Sequence, residues 1–451
     1  MDATAIILAA GEGTRMKSRH PKVMHKLLDR PLVSWVTRAA RVAGADRIVV
    51  VVGNGAEEVR AHLAAETDVE CVEQAERLGT AHATRVAIEA AGIGEGPVVV
   101  LNGDLPLIEP ETIRAFAQSV SGGQHAAAIL TMTPPDPFGY GRIELAEDGS
   151  VTRIIEQKDC TPEQAAGLLE CNAGCYAFDG ALLAKYIGEV GNQNAQSEYY
   201  LPDMVEILRG HGYATTITHC EDYREGLGVN SRIQLAELSA LAQAKINEGL
   251  MASGVTMLDP KTVWVGPDVT VGRDTELLSM TMLWGSTSVG EGCVVGPNTR
   301  LTNCAVANDV TLEETVGTDV TIDDGVTCGP RAYLRGGAHV LEGAHIGTHV
   351  ELKNTVVGRG SKVPHLSYIG DCTMGDHVNI GGGSITCNYD GVHKSRTTIG
   401  DNVFIGSDTM MVAPVTIGEG AITGASSCIT RDVPADALAI ERSEQHIVEG
   451  F

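Results

Sequence analysis

IGDNVFIGSDTMMVAPVTIGEGAITGASSCI, residues 399–429, carries an aliphatic or small residue at every sixth position: Ile399, Ile405, Met411, Ile417, Thr423 and Ile429. Gly follows four of these, at Gly400, Gly406, Gly418 and Gly424. The same period runs earlier through Val265, Val271, Leu277, Leu283, Val289, Val295 and Leu301. Six is neither the period of a strand nor that of a helix, and chance spacing does not give two such runs. It fits a coil with three short flat sides, each turning one apolar residue inward. Coils of ~18 residues then stack at roughly 4.8 Å, so residues 265 to 430 make about nine of them, a prism on the order of 40 Å long. The spacing predicts a parallel β-helix, placed in a domain over residues 255–451 that ends in a C-terminal tail.

The chain's 451 residues suggest about three domains and are long enough for more than one substantial core. Hydrophobic residues make up 43% and charged residues 20%, the balance of a soluble protein. The net charge of -25 argues against nucleic acid, whose binding rests on Lys and Arg neutralising phosphate. Small anionic substrates need only a few local cations and stay open. The eleven cysteines are scattered, with no CxxC pair, which suits reduced thiols better than disulfides or zinc. The start lacks a cationic leader pattern, and no uncharged apolar run nears the ~18 residues of a membrane span. A cytoplasmic protein is expected.

Before the solenoid, strand-like and helix-like segments alternate. Ala5–Ala9, Ile48–Val52 and Val98–Leu101 read as buried strands; Val33–Ala43, Ala56–Ala65 and Ala81–Ala91 read as helices. This alternation predicts a mostly parallel sheet covered on both faces, with ligands beyond the carboxyl ends of its strands. After the first strand comes Leu8-Ala9-Ala10-Gly11-Glu12-Gly13-Thr14-Arg15-Met16, followed by Pro21-Lys22. Such glycines let backbone N–H groups approach phosphate, and Arg15 and Lys22 can neutralise it. It is not a Walker loop, which needs Gly-Lys-Ser/Thr. Nor is it the dinucleotide fingerprint, because Met16 stands where the third Gly belongs.

The longer string resembles the sugar-1-phosphate nucleotidyltransferases. The resemblance continues in order through Gln74–Ala83, Leu101–Leu107, Gly139–Arg142, Ile155–Lys158, Glu170–Gly174, Glu198–Tyr200 and Gly228–Asn230. Taken singly, Asp104 reads as a turn cap, Glu156 and Lys158 as a solvated ion pair, and Asn172 and Asn230 as loop residues. The resemblance implies a Rossmann-like α/β nucleotidyltransferase domain over 1–230 that uses Mg²⁺. Asp104 and Asn230 would hold the metal, and Lys22 and Arg15 would steady the phosphates. Leu8, Ala9, Ala10 and Gly11 would contact the nucleotide, with Gln74, Gly79 and Thr80 reading uracil. Asn102 and Gly103 belong to the metal-binding strand end; Gly141, Glu156 and Asn172 would hold the sugar. Catalysis there is largely charge neutralisation and in-line positioning of two polyanions.

Ser231 to Gly254 carries apolar residues near helical spacing and is expected to be a helix linking the domains, 231–254. In the solenoid the period slips around Val357 to Ile380 and breaks again between Cys387 and Arg396. Both regions are expected to be loops, where function is usually mounted. Gly329-Pro330 through Gly336, Val350–Lys353, Lys362–Gly370 and Asn379–Gly391 follow one another here. With the first half, the whole chain resembles the bacterial bifunctional N-acetylglucosamine-1-phosphate uridyltransferase/glucosamine-1-phosphate acetyltransferases. That resemblance implies a left-handed β-helix of hexapeptide repeats and a homotrimer with acetyl-transfer sites between subunits.

It also implies acetyl-CoA as co-substrate beside UTP, N-acetylglucosamine 1-phosphate and glucosamine 1-phosphate, on the route to peptidoglycan and lipopolysaccharide precursors. His365 would be the general base, a role histidine suits near neutral pH, with Glu351 orienting its ring. Arg335 and Lys353 would bind the sugar phosphate, helped by Lys394, with Tyr368 and Asn379 on the sugar. Gly382, Asn388, Tyr389, Ser407, Ala425 and Arg442 would contact acetyl-CoA. Gly336 stands where the family commonly has Pro, Gly382 where it has Ala, and Glu12 at a variable loop position. None removes a side chain assigned to chemistry, and Cys387 reads as structural. Two alternatives remain at this level. One is a different nucleotidyltransferase whose solenoid only assembles it, which His365, Lys353 and Arg442 disfavour. The other is a non-enzymatic scaffold, which Lys22, Asp104 and Asn230 disfavour.

Overall fold

The computed structural model describes residues 3–146, 149–155, 157–194 and 197–451. The chain divides into two compact units, 1–239 and 240–451.

Among the described residues the first unit holds one nine-stranded sheet, seven strands of which lie in a continuous path. Their spatial order is Thr215–His219, Ala127–Met132, Cys171–Asp179, Pro97–Asn102, Thr4–Ala9, Arg47–Val52 and Val69–Glu73. Neighbours run parallel except around Cys171–Asp179, which is antiparallel to both of its partners. A hairpin of Arg142–Leu145 and Val151–Ile155 joins at Cys171. Ile48, Val49, Val50, Val51 and Val52 are all buried, as expected of strands covered on both faces. Ile7, Val50, Val99 and Leu101 pack on one side with Val33, Val36, Val59, Ile113 and Phe116. Ile6, Val49, Val98 and Val100 pack on the other with Ala87, Ile88, Leu183, Met204 and Leu208. The predicted helices form as Leu32–Ala43, Ala56–Leu63 and Thr80–Ala91. The second ends two residues before the expected Ala65.

The second unit is a left-handed parallel β-helix whose three faces are sheets of eleven, ten and nine strands. All thirteen period-six positions lie inside except Val271, which is partly exposed. Trp264 pairs with Met282 and Met282 with Arg300, the expected 18-residue coil. The coil is not constant: Arg300 pairs with Val316, 16 residues on, and Glu351 with Tyr368, 17 residues on. The first expected loop is therefore corrected. Shortening begins well before Val357, and Lys362–His365 and Tyr368–Gly370 are ordinary strands in continuous ladders. The sides are trimmed by a residue at the corners, which shifts the period without extruding chain. The second interruption is a loop as expected. Ile385 pairs with Met410, and the extra length is the excursion between Cys387 and Thr397, closed by a Tyr389–Lys394 bridge.

The helix Arg232–Ala252 matches the expected segment to within two residues. In its second half Gln243 and Asn247 donate to the Val263 carbonyl at 2.6 and 2.9 Å. Ile246, Leu250 and Met251 lie against the solenoid core. This segment covers the open end of the first coil, an edge that would otherwise invite further strand pairing. Among the described residues no helix is long and apolar enough to cross a membrane.

Candidate active sites

In the first unit a cleft of about 1010 Å³ opens at the carboxyl ends of the strands Thr4–Ala9 and Pro97–Asn102. Its lining includes Leu8, Ala9, Ala10, Gly11, Arg15, Lys22, Gln74, Gly79, Thr80, Asn102, Asp104 and Asn230. The sequence brings them together through the parallel register, Leu8 beside Asn102, and through Gly103, whose N–H donates to the Leu8 carbonyl at 2.9 Å. A Cβ on Gly103 would stand 3.0 Å from that carbonyl oxygen, so the close crossing leaves little room for a side chain. Gly13 adopts φ +61° with its α-carbon against the Lys22 side chain, where a Cβ would come within 2.6 Å of the Lys22 Cβ. The loop thus folds directly onto the lysine.

The Lys22 ammonium donates to Asp104 Oδ2 and, at 3.2 Å, to Asn230 Oδ1. Two oxygens from distant segments converge on one cation. A carboxylate and an amide oxygen are the hard donors that Mg²⁺ takes, its other positions going to water and phosphate. Among the described residues no three His, Cys, Asp or Glu cluster as a metal cage. Gly141 and Asn172 do not line the cleft but border it. The Asn172 N–H donates to the Gly141 carbonyl at 2.9 Å, and their neighbours Tyr140 and Ala173 are in the lining. The Asn172 amide is engaged with the Tyr176 hydroxyl and the Gly174 N–H. Glu156 lies outside the described residues. Glu12 pairs with Arg77, so its charge is compensated at the rim.

Two supporting residues escape the motif reading. Arg232 donates to the Met16 carbonyl of the glycine-rich loop at 3.3 Å, and Gln234 Oε1 accepts from the Asn230 N–H at 2.9 Å. Both stand on the first turn of the helix Arg232–Ala252. The signal was present in Ser231-Arg232-Ile233-Gln234, the S-x-x-Q pattern of a helix start. Ser231 Oγ does accept from the Gln234 N–H.

On the solenoid the ladder stacks Arg335 under Lys353 and Glu351 under Tyr368. Arg335 donates to Glu351 at 2.7 Å, and that bond holds the guanidinium above its ordinary pKa. Lys353 lies 3.7 Å from Asp371. Lys394, carried on the excursion, is brought against Lys353, and this pairing of two amines holds Lys394 below its ordinary pKa and Lys353 above it. Asp371, which the motifs did not single out, accepts from Asn354 at 2.7 Å and Asn388 at 2.5 Å. Burial alone would raise its carboxyl; those bonds and the charges of Lys353 and Lys394 hold it below the usual range. Asn388 also donates to the Tyr368 hydroxyl at 3.4 Å.

His365 is exposed and its ladder partner is Thr348, so Glu351 lies under Tyr368, around the corner from the histidine. Asn379 stacks on Lys362 in the same face as His365. A Cβ on Gly382 would sit 3.4 Å from the His365 Cβ, an ordinary contact, so alanine fits there too. Gly382, Ser407 and Ala425 stand in one corner column, with the Asp408 N–H on the Gly382 carbonyl and the Ser426 N–H on the Ser407 carbonyl. Tyr389 is exposed on the excursion, and Arg442 is exposed in the tail. Burial pushes the Cys387 thiol up, away from the reactive thiolate. Leu366, next to His365, has φ +49°, but so do its corner counterparts His349 and Arg331 at +54° and +66°. That conformation belongs to the coil and not to the site.

Residues 5–148 match the MobA-like NTP transferase domain, and residues 396–431 match the bacterial transferase hexapeptide repeats. The bifunctional protein GlmU of Streptomyces coelicolor is 45% identical across 100% of this chain and 94% of its own length. That of Heliobacterium modesticaldum is 44% identical, covering 99% and 97%, and that of Trichlorobacter lovleyi 42%, covering 98% and 96%. These relatives therefore match both halves of the chain end to end, and the chain belongs to the bifunctional GlmU family.

Proposed function

We propose that the two halves of this bifunctional enzyme carry out consecutive steps, acetylation of glucosamine 1-phosphate on the solenoid and uridylyl transfer to the product in the cleft. The product is UDP-N-acetylglucosamine. The observation that supports this reading is that each unit sets cations beside groups suited to its step, Lys22 against Asp104 and Asn230 in the cleft, and Arg335 and Lys353 against Glu351 and Asp371 on the solenoid.

In the cleft the phosphate of N-acetylglucosamine 1-phosphate attacks the α-phosphorus of UTP, the α–β bridge breaks and pyrophosphate leaves. Lys22 and Arg15, with the backbone of Leu8 to Gly11, neutralise and align the triphosphate. Asp104 and Asn230 would hold Mg²⁺, which when bound would supply Lewis-acid neutralisation of phosphate charge. Asn102 and Gly103 fix Asp104 at the strand end. Gln74, Gly79 and Thr80 take the uracil, and Gly141, Glu156 and Asn172 the sugar.

On the solenoid Arg335, Lys353 and Lys394 bind the phosphate of glucosamine 1-phosphate, with Tyr368 and Asn379 on the sugar. His365 removes a proton as the amine nitrogen bonds to the thioester carbon; the carbon–sulfur bond breaks and coenzyme A leaves. Glu351 is the carboxylate assigned to polarise the ring. Gly382, Asn388, Tyr389, Ser407, Ala425 and Arg442 form the acetyl-CoA surface, completed by a neighbouring copy in a homotrimer. The domain limits we assign are 1–230, 231–254 and 255–451.

Thiol and pyrophosphate release, followed separately, test the scheme. His365→Ala should lose thiol release while still forming pyrophosphate from supplied N-acetylglucosamine 1-phosphate; Asp104→Ala should do the reverse. Loss of both activities in either folded variant refutes the separation.

A further inference from the structure

Within the base-reading segment, Gln74 is 4% exposed and its amide nitrogen faces two partners, the Gly79 carbonyl at 3.1 Å and His82 Nδ1 at 2.9 Å. A carbonyl oxygen can only accept, so the amide end facing Gly79 must be the NH₂. Its second N–H then meets His82 Nδ1, which accepts only when the neutral ring carries its proton on Nε2. Both donors are thereby engaged within the protein. Oε1 is left as the amide atom with no partner among the described residues, in a side chain that lines the cleft.

Both anchors are fixed by their own surroundings. Gly79 has φ +105°, and a Cβ there would come within 2.4 Å of the Tyr199 carbonyl. The Tyr199 N–H donates to Leu78 at 2.7 Å and the Ala81 N–H to Tyr199 at 2.9 Å, pinning both sides of Gly79. His82 stands in the first turn of the helix Thr80–Ala91 with its ring centroid 6.5 Å from that of Tyr199.

We infer that His82 is a positioning residue for base selection. It locks the Gln74 amide so that the cleft presents an acceptor, which pairs with the ring N–H of uracil and repels the ring lone pair of cytosine. Without His82 the amide keeps one tether and can turn, offering a donor that suits cytosine. This inference rests on the uridylyl-transfer reading above. The discrimination is of the kind that buried hydrogen-bonding groups give, because the wrong base leaves them mispaired.

The test compares UTP and CTP as substrates with N-acetylglucosamine 1-phosphate and Mg²⁺, following pyrophosphate release by the full chain. For His82→Ala, kcat/KM for UTP should fall about five- to tenfold, mostly through KM. The UTP-to-CTP ratio should fall at least about tenfold. His82→Gln, whose amide oxygen can accept, should keep most of the selectivity, and the KM for the sugar phosphate should not move. Wild-type enzyme that uses both nucleotides equally would overturn the uracil reading itself. A selective wild type with an equally selective His82→Ala overturns the lock alone. Should His82→Ala fail to fold, His82→Met set against His82→Gln makes the same comparison. Equal selectivity in that pair overturns the proposal.

Discussion

Asp371→Asn removes one charge and changes almost no volume, so its consequences follow from hydrogen-bond polarity. The carboxylate is 8% exposed, accepts from Asn354 Nδ2 on one oxygen and from Asn388 Nδ2 on the other, and faces Lys353. An amide has one oxygen and one NH₂. Whichever way it turns, the NH₂ meets a donor, so one bond to a charged acceptor is lost; the freed donor reaches solvent on the exposed Asn354 side and keeps the Tyr368 hydroxyl on the Asn388 side. A hydrogen bond to a charged acceptor contributes about 1.5–3 kcal/mol. The variant should be less stable by about that amount, about 1.5–3 kcal/mol. The folded carboxyl is held below its ordinary range, so its contribution is present above the unfolded pKa and is lost as pH falls through the folded one. Denaturant midpoints at matched protein concentration should show the full gap near neutrality and a narrowing gap in acid. Release of Asn388 should also loosen the excursion, raising KM for glucosamine 1-phosphate while uridylyl transfer is unchanged. A gap below about 0.5 kcal/mol, the ordinary range of surface changes, or one that stays constant into acid, would refute the reasoning.

Two further outcomes follow from the same kind of bookkeeping. Because Lys394 is held below its ordinary pKa by Lys353, it is the first of the phosphate cations to lose its proton as pH rises. KM for glucosamine 1-phosphate should therefore climb on the alkaline side, and in Lys394→Met it should be high throughout with that climb absent. Gln234→Ala removes the bond to the Asn230 N–H, a loss of about 1 kcal/mol. The Mg²⁺ concentration for half-maximal pyrophosphate release should rise roughly fivefold, with thiol release unaffected.

The residues that were legible in the sequence are those whose role is periodic or local. Ile405 and Met411 announce the solenoid because every coil repeats the same inward position, and Gly11 to Lys22 announces the phosphate loop because one turn contains it. Asp371 was not legible. At φ +49° it occupies a corner where Asn and Asp are common for backbone reasons alone, and only the register sets it over Asn354 and beside Lys353. The antiparallel strand Cys171–Asp179 was hidden for a similar reason, since a run of buried residues marks a covered strand but not the direction in which it runs. The expected loop at Val357–Ile380 failed because a slip in period has two physical origins, extra chain or a trimmed corner. Sequence spacing alone does not separate them.

The solenoid also explains why its cation cluster is informative about function. In a ladder, like charges directly opposite one another are destabilising, yet Arg335 stands opposite Lys353, and Lys394 is brought against Lys353 from outside the coil. Glu351 and Asp371 relieve the repulsion from neighbouring positions, but two carboxylates face three cations. A fold that needed only to stack coils would have no use for this excess, since the same ladder positions elsewhere are filled by residues such as Thr302 and Trp284. The remaining positive charge is a cost to the free protein that a phosphate group removes on binding. On the proposed reading that phosphate belongs to glucosamine 1-phosphate, whose neighbouring amine must then reach His365 around the corner of the coil from the cluster.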